Sequence, residues 1–375
     1  MDKAKRNTAL DITRLYALLC VICVHFFLYN GFYDIPCDGW KMYLACCLRC
    51  SFMVCIPLFL LLTGYLMSGK TLTKKYFTGI DKTLGVYVLA SIVCLLMKKY
   101  FFEMSYVSVF DIFNFTAATY GWYVEMYIGL FLMIPFLNLI YRGLNGKKQK
   151  LLLIGIFTAL TLLPSVINIY DLRTPGAFAD PSISQMYYHL IPRFWVTLYP
   201  VTYYFIGAFL REYPVRMKTP RKLALYAVSL LLFASFAFYR SGSGTFDSGT
   251  WQNWESLLLM PLGVSVFILL TGLETSGMPS GLRRFLAEAA DVSFGAYLLS
   301  CVFDKLFYTY LDGKLSGFFA RLPYFPVVFA TFALSLLASF SVTTVYSLLR
   351  STGDKLVGKR GKKTEQKEEI NISAR

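Results

Sequence analysis

Apolar residues fall into ten runs of roughly bilayer-spanning length, near 9–29, 46–67, 83–102, 122–141, 151–169, 194–211, 222–239, 255–273, 293–310 and 324–349. The polar segments between them are short, apart from 171–193, and none is long enough to form a domain. This pattern predicts an all-α, polytopic integral membrane protein with about ten transmembrane helices in one domain, 1–350. A charged tail without apolar periodicity follows at 351–375 and is expected to be disordered. The first run, LDITRLYALLCVICVHFFLY at 10–29, carries Asp11, Arg14 and His25. At about 100° per residue, Arg14 and His25 lie within roughly 20° of each other and ~16 Å apart along the helix axis. Ionisable groups in a membrane helix are costly and normally face a bundle interior or a water-filled cavity, so this face is a candidate functional site.

An even number of spans puts both termini on one side, and the cations agree. The side of the N-terminus holds 26 Lys and Arg residues against 9 on the other, with Arg14 and Lys305 inside spans. By the positive-inside rule both termini are expected in the cytoplasm. Composition fits the same class: 56% of residues are hydrophobic, 17% aromatic and 16% charged, well outside the range of a soluble domain. The net charge of +15 sits between the apolar runs and in the tail, not on one amphipathic face. It therefore suits the anionic lipid of a bilayer and argues against nucleic acid as a partner.

Eight of the nine cysteines lie inside apolar runs and read as small core residues, not metal ligands, and no metal site is expected. Cys37 falls in an expected external loop without an obvious partner. Lys3, Lys5 and Arg6 before the first run resemble the start of a signal peptide, but that run is long and no small-residue cleavage site follows, so it should stay as a helix. No internal repeat and no matched pair of Gly/Pro-broken helices points to an inverted-repeat transporter.

Several further side chains are candidates for chemistry. His25, near the outer end of helix 1, has the side-chain type best suited to general-base work near neutrality, although a membrane histidine also serves structural roles. Arg14 suits an anionic group such as a phosphate; the plainer reading is an ion pair with Asp11 or contact with lipid phosphates. Lys70, Lys74, Lys75 and Lys82 form a basic stretch that sets topology and, beside Arg14, can also attract a polyphosphate. Helix 4 enters from outside with Trp122 and Tyr123 at the interface and Glu125 just inside, at a depth similar to His25. Asp304 and Lys305 are expected to neutralise each other or a neighbour, and Glu255 is a weaker candidate. His189 and Arg193 flank the outer mouth, as interfacial anchors or as contacts to an external substrate.

The opening LDITRLYALLCVICVHFF resembles membrane-bound acyltransferase family 3, whose first helix has an aspartate, an arginine and a histidine eleven residues beyond the arginine, here Asp11, Arg14 and His25. PLFLLLTGYL at 57–66 is similar to the family segment ending in Ser/Thr-Gly-Tyr, matched by Thr63, Gly64 and Tyr65, and a basic stretch with Lys74, Lys75 and Lys82 follows. WYVEMYIGLFLMIPFLN matches a Trp-aromatic helix with Trp122 and Pro135, and YYFIGAFL at 203–210 a later helix with a glycine near its end. SFGAYLLS at 293–300 departs from the family: a position that is histidine in many members is Ser300, leaving His25 as the intramembrane imidazole.

The resemblance, over about 10–310, implies transfer of an acyl group, usually acetyl, from cytoplasmic acyl-coenzyme A as co-substrate to a hydroxyl of a cell-surface glycan. It also implies a multi-pass protein of the plasma (inner) membrane of a bacterium. Combined with the residues, it suggests donor phosphates at Arg14, Lys74, Lys75 and Lys82, and an acceptor near His25. His25 then removes the acceptor's proton or briefly carries the acyl group, and Glu125 orients it. Asp11, Tyr65, Trp122, His189 and Arg193 would support the site or the substrate side. The alternative from another class is a transporter or flippase in which His25, Glu125 and Asp304 line a pathway without covalent chemistry; amino-acid or amine acylation is a third option within the family's range.

Overall fold

The computed structural model describes residues 6–104, 106–184 and 186–373, with side chains described as far as residue 353. The described residues are helical throughout apart from connecting segments and one isolated bridge between Pro36 and Thr245. The elements in order are α1 (Thr8–Tyr29), α2 (Gly39–Phe52), α3 (Cys55–Met67), α4 (Lys74–Phe77), α5 (Asp81–Leu96), α6 (Phe110–Phe113), α7 (Trp122–Gly143) and α8 (Gly146–Thr161). They continue with α9 (Pro164–Ile167), α10 (Tyr199–Glu212), α11 (Thr219–Ser241), α12 (Leu259–Thr271), α13 (Ser280–Asp312), α14 (Phe318–Arg321) and α15 (Val327–Ser373).

Seven segments among the described residues are long and apolar enough to cross a membrane: α1, α2 with α3, α4 with α5 and the turn that carries it on to Phe101, α7, α11, α13, and α15 as far as Gly353. The chain is a multi-pass membrane protein. The other three predicted runs are also helical, but α8, α10 and α12 have 16, 14 and 13 residues, short of the ~20 that span a hydrocarbon core unaided. α10 is almost entirely buried, an inner helix shielded from lipid by its neighbours. At the far end α15 is described as far as Ser373, through a charged stretch that holds no proline.

Local chemistry explains the irregularities that shape the interior. The second span begins earlier than the apolar run suggests, at Gly39, and breaks at Met53 and Val54. Pro57 has no N–H to give the carbonyl of residue 53, so a new helix starts there with the proline in its first turn. In α7, Pro135 likewise leaves the Phe131 carbonyl without its helical donor, and the Tyr76 hydroxyl donates to that oxygen at 2.6 Å. α3 and α10 meet backbone to backbone: a Cβ at Gly64 would overlap the Tyr204 carbonyl, and one at Gly207 would overlap that of Leu61. This reciprocal close approach needs glycine on both helices, as in small-residue crossings of membrane helices generally. α1 runs through the centre, packed on α13, α3, α15, α12 and α2. Its start is capped by the Asn7 side chain, which accepts from the Ala9 N–H at 3.0 Å, and its end by the Asn30 amide, which donates to the Phe26 carbonyl.

Candidate functional site

At the C-terminal end of α1, His25 lines a cavity of about 720 Å³. Its imidazole stacks on Tyr120 with ring centroids 3.6 Å apart and planes inclined by 17°. Tyr120 reaches this position from the tight turn before α7, where Gly121 admits the Phe115 carbonyl so closely that any Cβ would collide with it. His25 Nδ1 lies 3.4 Å from Asp304 Oδ2, long for a hydrogen bond, and the Tyr120 hydroxyl donates to the same oxygen at 2.8 Å. Asp304 is 1% exposed, a little over two turns from the C-terminal end of α13, and also lines a side cavity of about 370 Å³. With Nδ1 turned towards a carboxylate, Nε2 is the nitrogen left for work in the main cavity.

The rest of this cavity comes from several elements. Met53, at the break between α2 and α3, forms part of the floor, and Trp122 stacks on Trp254 with centroids 4.6 Å apart. The rim is the loop after α1 joined to the loop after α11, through the Pro36–Thr245 bridge and the Cys37 N–H donating to the Gly244 carbonyl at 2.8 Å. Asp180 ties the long 168–198 connection to the same rim: the hydroxyls of Ser182 and Ser243 hold its carboxyl down at about 2. Two arginines, Arg49 and Arg240, also line the cavity.

At the other end of α1, Arg14 opens into a separate cavity of about 280 Å³ with Thr63, Thr83, Tyr123, Tyr127 and Tyr297 among its walls. Arg14 has no hydrogen bond or ion pair with any described side chain. The expected Asp11 partner is taken: Arg6 makes a two-pronged contact with Asp11 at 2.7 and 2.8 Å and adds a bond to Asp291 at 2.9 Å. Those bonds raise Arg6 above its ordinary range. Tyr123 and Tyr297 line the Arg14 cavity with ring centroids 5.8 Å apart, and the Tyr297 hydroxyl donates at 2.6 Å to the carbonyl of Tyr120, the His25 stacking partner.

The sequence model of a family described as an acyltransferase domain matches residues 7–344. The chain belongs to acyltransferase family 3. Comparison with curated proteins and with solved structures gives no match. Membership makes the chain a membrane acyltransferase, and Arg14 and His25 of α1 each open into one of the two cavities.

Not every sequence candidate lies at these cavities. Glu125 is exposed and the carboxylate beside His25 is Asp304, because the buried stripe of α7 runs through Tyr123, Leu130, Ile134 and Leu137, roughly 120–180° round from Glu125. Asp304 and Lys305 do not neutralise each other; Lys305 instead sits over the Phe102 ring. Lys74, Lys75 and Lys82 are exposed around α4 and the start of α5, and the neighbouring Thr83 is the residue that reaches the Arg14 cavity. His189 and Arg193 are exposed, and Ser182 is the residue of that connection that lines the larger cavity. Tyr65 packs edge-on against Phe267, a packing contact, while its neighbour Thr63 lines the Arg14 cavity. Trp122 lies at the His25 cavity, and Asp11 anchors the start of α1. Sequence reasoning missed Tyr120, Tyr297, Arg49 and Arg240 as site residues; the signal for Arg49 was its position inside an apolar run, where a cation needs an explanation.

Proposed function

We propose that this family member moves an acyl group, acetyl in the simplest case, from a coenzyme A thioester on the cytoplasmic side to a hydroxyl of a carbohydrate on the opposite side, in the plasma membrane of a bacterium. One observation carries the reading: a single face of α1 opens into two cavities, one with a guanidinium that forms no salt bridge among the described residues and the other with an imidazole backed by a buried carboxylate. The charge asymmetry of the chain supports Arg14 at the cytoplasmic end. A donor carrying phosphates does not cross lipid, so its charged end stays at Arg14, with Lys74, Lys75 and Lys82 attracting it from the rim. Its thioester arm passes the Tyr123–Tyr297 pair towards His25.

In this mechanism Asp304 holds the Nδ1 proton and orients the ring, and Tyr120 fixes the ring plane by stacking. Nε2 removes the proton of the acceptor hydroxyl as its oxygen attacks the thioester carbonyl. The new C–O bond forms, the C–S bond breaks, and the departing thiolate takes up the proton from the imidazolium. Membrane vesicles holding the protein, supplied with labelled acetyl-coenzyme A on one side and glycan on the other, test this. Label is expected in the glycan, with a drop of about 10²–10⁴-fold in His25→Ala at equal expression. Full transfer by His25→Ala rejects its role, and movement of unlabelled glycan without label incorporation points to transport instead.

A further inference from the structure

The 720 Å³ cavity is built around two guanidiniums that the reaction above does not use. Arg49, on α2, is 2% exposed; its Nε donates to the Tyr33 hydroxyl at 2.9 Å, its plane lies 4.9 Å from the centre of the Phe246 ring, and its Nη1 is buried without a partner. Arg240, near the end of α11, is 3% exposed, rests 4.6 Å from the Trp251 ring centre and also faces the rings of Tyr170 and Tyr187, and its Nε is likewise buried and unpartnered. Neither forms a salt bridge among the described residues. The carboxylates at this end are accounted for: Asp304 serves Tyr120 and His25, Asp180 is tied up by serines, and Asp247 lines the cavity without closing on either arginine.

Burying two cations in one cavity, with Asp247 the nearby carboxylate and no salt bridge to it, is expensive, and stacking on aromatic rings recovers only about 2 kcal/mol each. Stacking engages the faces of the guanidiniums and leaves Arg49 Nη1 and Arg240 Nε at their edges without a partner, donors of the kind that match an oxyanion. We propose that Arg49 and Arg240 form a subsite for a negatively charged group of the acceptor, so that the carbohydrate taken up beside His25 is an acidic one bearing a carboxylate or a phosphate. The anion fixes the sugar at the rim side of the cavity while a hydroxyl of the same molecule points at Nε2 of His25. The acceptor's part in this rests on the acyltransfer reading; the anion subsite itself stands on the cavity.

The test is equilibrium binding of methyl glucuronide, glucose 6-phosphate and methyl glucoside to the full-length protein in detergent, beside labelled-acetyl transfer to each. At least one anionic sugar is expected to bind about tenfold or more tighter than the glucoside, and the arm that wins distinguishes carboxylate from phosphate. In Arg49→Gln and Arg240→Gln the preference should fall to within about threefold, with Arg49→Lys retaining part of it, since a lysine keeps the charge and loses the fork. Should the glutamine variants fail to fold, Asp247→Asn provides the second arm: removing a negative charge from the cavity should sharpen the preference about twofold. Equal binding of all three sugars, no binding of either anion, or a preference unchanged in folded glutamine variants or in Asp247→Asn overturns the subsite. Transfer to neutral glycoside without preference leaves the acyltransfer reading intact and removes the subsite; anion preference without any transfer does the reverse.

Discussion

The two cavities on α1 are made differently. The one at Arg14 is small, about 280 Å³, and walled almost entirely by helix side chains that approach within one bundle. The one at His25 is about 720 Å³ and is assembled from helix ends, a helix break and loops that bridge to one another. A narrow cavity with one unpaired cation suits the charged end of a slender ligand. A wide cavity with two cations, stacked aromatics and an imidazole suits a bulky polar molecule to be held in a set orientation. In the proposed reaction these are donor and acceptor, and each mutation below strikes one side of that division.

The largest effect is expected at the His25 end without touching substrate. Asp304→Asn keeps the shape but removes the charge that selects the ring tautomer, so it should lower kcat by about 10–100-fold, the range for partners that orient a reactive ligand. KM for the acyl donor should not move, because Asp304 does not line the Arg14 cavity. A change confined to donor KM would break the division between the two cavities. Next comes Arg14→Gln, which should raise donor KM about tenfold with kcat little changed, as expected when a charged hydrogen bond worth about 1.5–3 kcal/mol in ground and transition state alike is lost. Initial rates across donor concentration measure it. A fall in kcat at unchanged KM would move Arg14 out of donor binding.

The half of this arrangement that α1 carries was legible from its sequence, because 3.6-residue periodicity alone puts Arg14 and His25 on one face. The partner of His25 was not. Asp304 is distant in sequence and meets α1 only because α13 packs on it, a contact no local pattern encodes. Glu125 was chosen for depth, yet depth says nothing of azimuth; the stripe Tyr123, Leu130, Ile134 already marked the opposite side of α7 as the buried one. Gly64 and Gly207 stood out in the sequence as members of two separate motifs, and only the crossing of α3 on α10 joins them into one structural requirement. The arginines of the His25 cavity were counted for topology, where charge sign alone matters. Their burial depends on loops whose course periodicity does not reach.

The smallest effect is expected at the boundary. Tyr297 lines the Arg14 cavity with its ring, while its hydroxyl supports the Tyr120 carbonyl and, through Tyr120, the plane of the His25 ring. Tyr297→Phe keeps the wall and removes one neutral hydrogen bond two residues away from the reacting imidazole, so only the low end of its usual worth, about 0.5 kcal/mol, should reach the reaction and kcat should fall by about two- to threefold with donor KM unchanged. Its effect should vanish in an Asp304→Asn background, where the ring is no longer held in the productive orientation and Tyr120 has less to preserve. Additive losses in the double variant would mean that the tyrosine acts on the donor path alone. The wall would then be a gate belonging to the small cavity and not the support of the large one.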